Sequence, residues 1–186
     1  MRTRLIHRLA LFVTLVLFTS AGFSQQPVDN KKLPNFHEVN SKLYRGAQPK
    51  AGGVKELAAR GIKTIVNLRG PGEGARKEEV EARAAGLRYF SIPFDRTGRP
   101  DDAEIKQVLT IIDGRENQPV FVHCKQGVDR TGTVIAIYRI THDGWTSEQA
   151  KAEANRYGMH PWERGMKNYI HDYYQRHRQN KKATAQ

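Results

Sequence analysis

Cys124, the only cysteine in 186 residues, is followed after five residues by Arg130, in the run Phe121-Val122-His123-Cys124-Lys125-Gln126-Gly127-Val128-Asp129-Arg130-Thr131-Gly132. The run reads as a short apolar strand, a loop opening on the cysteine, and a helix entered at the arginine and threonine. A thiolate is a potent nucleophile, and a planar guanidinium matches two oxygens of a phosphoryl group. Together they equip a site to attack a phosphate monoester and form a cysteinyl-phosphate. A free thiol ionises only near pH ~8.5, so the site must favour the anion. A helix N-terminus does so through its unpaired N–H groups and the positive end of its dipole. The same N–H groups, in a ring with Arg130, can cradle phosphoryl oxygens. That reading makes Lys125, Gln126, Gly127, Val128, Asp129 and Arg130 the substrate-binding loop. Gly127 gives the backbone freedom such a tight loop needs. Thr131 can donate a hydroxyl hydrogen bond to the sulfur as it leaves the intermediate.

The block from His123 to Gly132 resembles the signature of the cysteine-dependent protein tyrosine and dual-specificity phosphatases, in their bacterial exported form. The resemblance runs from about Leu43 to Gly144 and is strongest at the loop. It implies that His123 braces the loop from behind and biases Cys124 toward thiolate. It also implies an aspartate on a loop upstream, because an alkoxide or phenoxide leaving group needs a proton. The segment Ile92-Pro93-Phe94-Asp95-Arg96-Thr97-Gly98-Arg99-Pro100-Asp101-Asp102 supplies three candidates. Asp95 directly follows a strand end and is the choice. Asp101 and Asp102 read as helix-capping residues, and no Trp-Pro-Asp triplet is present. Asp129 is a fourth candidate, since some bacterial phosphoinositide-active relatives carry Asp there. Tyr44-Arg45-Gly46-Ala47-Gln48-Pro49 resembles the opening segment of small bacterial, plant and fungal dual-specificity phosphatases. Arg45 reads there as a surface or a buttressing residue.

The elements around the loop alternate. Phe36 to Arg45 reads as one extended segment, and Val54, Leu57 and Ala58 as a short helix stopped by Gly61. Ile62 to Leu68 is a buried strand, followed by a Gly/Pro-dense connection and a charged helix over 76–85. Leu87 to Pro93 is the next strand. Asp101 with Glu104 forms a capping box for a helix whose core stripe is Ile105, Val108, Leu109 and Ile112. Pro119 to Val122 delivers Cys124 to the sheet edge, and the helix carrying Val134 to Ile140 is apolar nearly all round, hence buried. Thr146 with Gln149 caps a further helix. Pro161 opens a last one, with Trp162, Met166, Tyr169, Ile170 and Tyr173 on its packed face. This alternation predicts an α/β fold: a central, mainly parallel sheet flanked by helices, as in dual-specificity phosphatases.

Residues 1–24 stand apart. Arg2, Arg4 and Arg8 precede an apolar run, Leu9 to Phe18, and small residues follow up to Ser24. This is the layout of a secretory signal peptide, with cleavage after Ala21 or Ser24 and no membrane span afterwards. Residues 25–35 read as a flexible lead-in, 36–178 as the catalytic domain and 179–186 as a basic, disordered tail. The expected location is periplasmic or secreted. A single thiol kept in an oxidising compartment favours its use as a nucleophile.

The formal charge is +12, or +9 without the three signal arginines. Such a surplus attracts anionic partners. The expected substrate is a phosphorylated protein (phosphotyrosine, phosphoserine or phosphothreonine) or a small anionic phosphoester, hydrolysed by a monomer. Phosphoinositide, polyphosphate or RNA 5′-triphosphate is the alternative, favoured by Lys125 and by a Gly-Val-Asp-Arg-Thr-Gly run close to that of RNA triphosphatases. Export argues against nucleic acid. A phosphate-binding module without catalysis is a third reading, opposed by the intact Cys124, Arg130 and candidate acid. The seven His show no metal-ligand spacing, and no cofactor is expected.

Overall fold

The computed structural model describes residues 31–95 and 98–184. The expected signal segment, the lead-in as far as residue 30, and residues 96, 97, 185 and 186 lie outside the described residues. The chain runs β1 (His37–Asn40), β2 (Leu43–Ala47), α1 (Gly53–Ala59), β3 (Thr64–Asn67), α2 (Glu73–Ala84) and β4 (Arg88–Ser91). It continues through α3 (Asp102–Asp113), β5 (Val120–Cys124), α4 (Asp129–His142), α5 (Ser147–Arg156) and α6 (Arg164–Thr184).

The five strands form one sheet in the order β1-β2-β5-β3-β4. β5 lies parallel to β2 on one side, with Ala47 opposite Cys124, and parallel to β3 on the other, with Asn67 opposite His123. β3 pairs in parallel with β4, and only β1 runs antiparallel, against β2. The α/β architecture expected from the alternation of elements is the one observed.

Helices cover both faces, so β5 is buried along its whole length. Its residues alternate between two cores. Val120, Val122 and Cys124 face the core built with α3, α4, α5 and α6. Phe121 faces the smaller core of Leu33, Val54, Leu57, Ile65, Ala82 and Tyr89, on the side of α1 and α2. This period of two sends Cys124 and His123 to opposite faces of the sheet. Helix α4 packs against the sheet with nine of its residues buried, from Thr131 to Ile140.

Both expected capping boxes form, Asp101 with Glu104 on α3 and Thr146 with Gln149 on α5. Four expectations are corrected. The segment 36–45 is not one strand but a hairpin, because Asn40 Oδ1 accepts from the Lys42 N–H and turns the chain. The lead-in is ordered from residue 31: Leu33 is fully buried, and the Pro34 carbonyl accepts from the Ala47 N–H at 2.9 Å. Residues 179–184, expected as a disordered tail, continue α6, since no Gly or Pro follows Gly165 before its end. The last helix starts at Arg164 rather than Pro161, and Trp162 is 70% exposed instead of packed. The cause is Asp129, which holds His160 and keeps the chain in a turn there.

Candidate active site

Cys124 ends β5 with 2% exposure, and the loop after it closes on its sulfur: the Gly127 N–H donates to Cys124 Sγ at 3.2 Å. Gly127 adopts φ +75°, and a Cβ there would lie 2.4 Å from the carbonyl carbon and oxygen of Gly46. Glycine is therefore required twice, by its backbone conformation and by the closeness of β2.

The loop carbonyls are taken up from outside. The Gln48 N–H donates to the Lys125 carbonyl at 3.3 Å. Asn35 Nδ2 donates to the carbonyls of Gln126 and Gly127, each at 3.2 Å, and Arg45 Nη2 donates to Gly127 at 2.9 Å. With the oxygens engaged by β2 and the lead-in, the loop offers its N–H groups to an anion. Helix α4 opens directly after it, at Asp129, and its first-turn N–H groups lack partners within the helix. Arg130 Nη1 donates to the Leu68 carbonyl at 3.2 Å, fixing the guanidinium beside the end of β3.

His123 lies behind the loop. Its Nδ1 sits 3.0 Å from the Cys124 carbonyl, and its Nε2 lies 2.8 Å from Glu78 Oε1 on α2, in a place closed to solvent. Glu78 Oε2 accepts from Asn67 Nδ2 at 3.4 Å, and the same nitrogen donates to Tyr89 Oη at 2.7 Å. Burial, reinforced by the Glu78 charge, pushes the Tyr89 hydroxyl far above the usual tyrosine range, so it stays protonated. This polar chain ties His123 to β3, β4 and α2.

A cavity of about 520 Å³ adjoins the loop, lined by Arg69, Gly70, Pro71, Pro93, Phe94, Asp95, Lys125 and Arg130. The structure thus brings Asp95, Lys125 and Arg130 to one space, although 35 positions separate Asp95 from Arg130 in the chain. Phe94 anchors the acid-bearing segment through its N–H, which donates to the Leu68 carbonyl at 3.2 Å. The other aspartates are engaged elsewhere. Asp101 caps α3, and Asp102 accepts from Tyr169 Oη at 2.5 Å and from Arg176 Nη2 at 2.9 Å. Asp129 accepts from the His160 N–H at 2.9 Å and lies 2.8 Å from His160 Nδ1. Thr131 is buried, but its Oγ1 makes no hydrogen bond among the described residues, so the expected contact with the sulfur is not made. Its place in the first turn of α4 leaves the Gly127 N–H as the donor to sulfur instead.

A family model described as DSP-PTPase phosphatase fused to NAD+ kinase matches residues 23–172. The chain belongs to this DSP-PTPase family. The dual specificity protein phosphatase TpbA of Pseudomonas aeruginosa (strain UCBPP-PA14) is 35% identical over 128 residues, which cover 67% of this chain and 55% of that protein. The inositol diphosphatase DSP4 of Arabidopsis thaliana is 28% identical over 109 residues, covering 56% of this chain and 54% of the relative. The chain spans about half the length of the curated relatives it matches. A crystal structure of P. aeruginosa TpbA superposes with a TM-score of 0.64 at 32% identity, over 78% of this chain and 87% of that one. Another holds TpbA in complex with phosphotyrosine. The catalytic core of the S. cerevisiae PP-IP phosphatase SIW14, at 23% identity and a TM-score of 0.68, shares the fold over 75% of this chain and 85% of its own.

Several residues of this DSP-PTPase site escape a reading of the sequence. Asn35 sat in a polar stretch with no periodicity. Glu78 was hidden on a charged helix, yet it falls with Ala75 and Ala82 on the buried stripe of α2, and a carboxylate in that stripe is a signal. Arg69 and Gln48, hydrogen-bonded to each other beside the cavity, come from two loops that only the sheet order makes neighbours.

Proposed function

We propose that the protein is a cysteine-dependent phosphatase that hydrolyses phosphate monoesters, phosphotyrosine, phosphoserine and phosphothreonine in proteins among them. The observation that carries this is the loop itself: a sulfur receiving an N–H, carbonyls held outward by four hydrogen bonds, and Arg130 and Asp95 on the adjoining cavity. Cys124 Sγ attacks phosphorus in line while Arg130 and the loop N–H groups take the charge on the phosphoryl oxygens. Asp95 passes its proton to the departing oxygen. A water then attacks phosphorus, Asp95 takes a proton from it, and the thiolate leaves. Likeness to TpbA, whose structure has been solved with phosphotyrosine, supports a phosphoprotein substrate.

A second reading rests on three cations, Arg69, Lys125 and Arg130, around one cavity. They favour a substrate with a further phosphate beside the scissile one, such as a phosphoinositide or a polyphosphate, and the inositol diphosphatase relatives support it. The layout of residues 1–24 supports export to the periplasm or beyond. A mass measurement showing loss of about 21–24 residues would establish cleavage.

Assay of the purified protein against phosphopeptides, phosphoinositides, polyphosphate and RNA 5′-triphosphate tests both substrate readings. Cys124→Ser, which keeps the loop but removes the nucleophile, is expected to abolish turnover. Residual activity within about tenfold of wild type would exclude a cysteinyl-phosphate. Chelation by EDTA is expected to change nothing.

A further inference from the structure

Arg45 is the largest fully buried side chain among the described residues, with 1% exposure. It rises from β2 behind the active-site loop. Nη2 donates to the Gly127 carbonyl, and the guanidinium lies over the Tyr157 ring at 4.3 Å from its centroid. Nη2 also sits 3.8 Å from where a Cβ on Gly132 would be, against the first turn of α4. Nε and Nη1 are buried and make no hydrogen bond among the described residues. A cation held out of water with donors unspent is costly unless an anion balances it.

The surroundings hold little to balance it. Glu153 of α5 is the nearest carboxylate in effect, yet it is already bound by Arg139, which donates from Nη2 at 2.9 Å and from Nε at 3.3 Å. His37 faces Arg45 from β1, Tyr157 from the residue just past α5, and Arg139 from α4. Around the loop stand His123 on β5 with Glu78 behind it, Lys125 within it, Asp129 and Arg130 at the start of α4, and Arg69 and Asp95 on the cavity. Burial pushes the Arg45 guanidinium down to about 10, against the pull of Glu153, Tyr157 and Cys124.

We propose that Arg45 is the counter-cation of the Cys124 thiolate: its buried charge is balanced when the sulfur is anionic, so it stabilises the nucleophile from behind the loop while Arg130 acts on the substrate in front. Arg45 is in this sense a positioning residue that touches neither substrate nor reacting phosphorus. The proposal rests on the reading of Cys124 as a nucleophile.

Alkylation of the full chain by iodoacetamide tests it without any phosphoester, and the single cysteine makes the mass shift specific. At neutral pH, Arg45→Met is expected to slow alkylation by about tenfold or more, the scale on which a nearby opposite charge acts. Arg45→Lys is expected to recover most of that rate. Above about pH 10, where a free cysteine is ionised, the methionine variant and wild type are expected to converge. Glu153→Gln removes the competing anion while keeping a partner for Arg139, so it is expected to speed alkylation. An unchanged rate in Arg45→Met overturns the proposal. So does equal slowing in the lysine variant, or a gap that persists at high pH and so reports access. If Arg45→Met does not fold, Glu153→Gln decides alone: a faster rate supports the proposal, and an equal or slower rate overturns it. Control of alkylation by Arg45 in a protein that hydrolyses no phosphoester would sink the phosphatase reading and leave this one standing.

Discussion

Asn35 Nδ2 donates to two successive carbonyls of the active-site loop, those of Gln126 and Gly127, while its Oδ1 lies 3.0 Å from His37 Nε2. A carbonyl oxygen can only accept, so the two carbonyls fix which way the amide faces. The segment ahead of the first strand therefore belongs to the site. It turns carbonyl oxygens outward where an incoming phosphate would otherwise meet them.

Asn35→Ala frees the Gln126 carbonyl and leaves that of Gly127 to Arg45 alone. A hydrogen bond of this kind is worth ~1 kcal/mol, so kcat/KM is expected to fall by about tenfold. Binding of inorganic phosphate as a competitive inhibitor is expected to weaken in parallel, with thermal unfolding still cooperative. Equal inhibition constants in the two proteins would show that the amide does not shape the anion site.

Gly127→Ala meets two obstacles at once. A side chain at φ +75° is strained by about 1–3 kcal/mol, and its Cβ would lie 2.4 Å from Gly46. The loop must shift away from β2, breaking the Gly127 N–H to Cys124 Sγ contact. Turnover is expected to be nearly lost and the denaturation midpoint lowered. Wild-type kinetics in this variant would contradict the loop geometry.

Asp95→Asn is expected to slow hydrolysis of a serine phosphate by about 10²–10⁴-fold, the usual contribution of general acid catalysis. A nitrophenyl phosphate, whose leaving group departs without a full proton, is expected to suffer much less. The same contrast in Asp101→Asn, Asp102→Asn or Asp129→Asn, but not in Asp95→Asn, would move the role to that residue. Their engagements with α3, with α6 and with His160 argue for Asp95.

The positions of these aspartates show what the sequence made legible. Asp101 followed by Glu104 announced its capping box through local spacing alone. Cys124, Arg130 and Gly127 were readable because one loop contains them all, and His123 because its resemblance to a known signature is local too. Asp102 was read as a cap, but its partners Tyr169 and Arg176 lie far down the chain on α6. Asn35, Glu78 and Arg69 act across the sheet. Their roles follow from the strand order β2-β5-β3, which no local spacing encodes.

Acid is expected to weaken the fold partly through His37. Burial, and the Arg45 charge after it, hold its imidazole below the usual 6.5. As pH falls through that value the unfolded chain takes up a proton that the folded protein does not. Stability conferred by neutral His37 is therefore complete above pH ~6.5 and declines as pH drops toward the lower folded value. Urea unfolding between about pH 7 and 5.5 is expected to show this slope, reduced in His37→Gln. His177 on α6, also lowered by burial, has the same sign and keeps part of it. An identical slope in the variant would mean that His37 titrates alike in both states.

Placing Cys124 on β5, between β2 and β3, also governs how the protein comes into being. The two flanking strands are synthesised first and have no edge in common until β5 is inserted between them. Such non-local pairings form slowly, and they leave two unpaired strand edges on the nascent chain in the meantime. The strand that closes this gap is the one that ends in Cys124. Completion of the sheet thus sets Cys124 in place first, and the loop and α4 that follow it in the chain close around the sulfur afterwards.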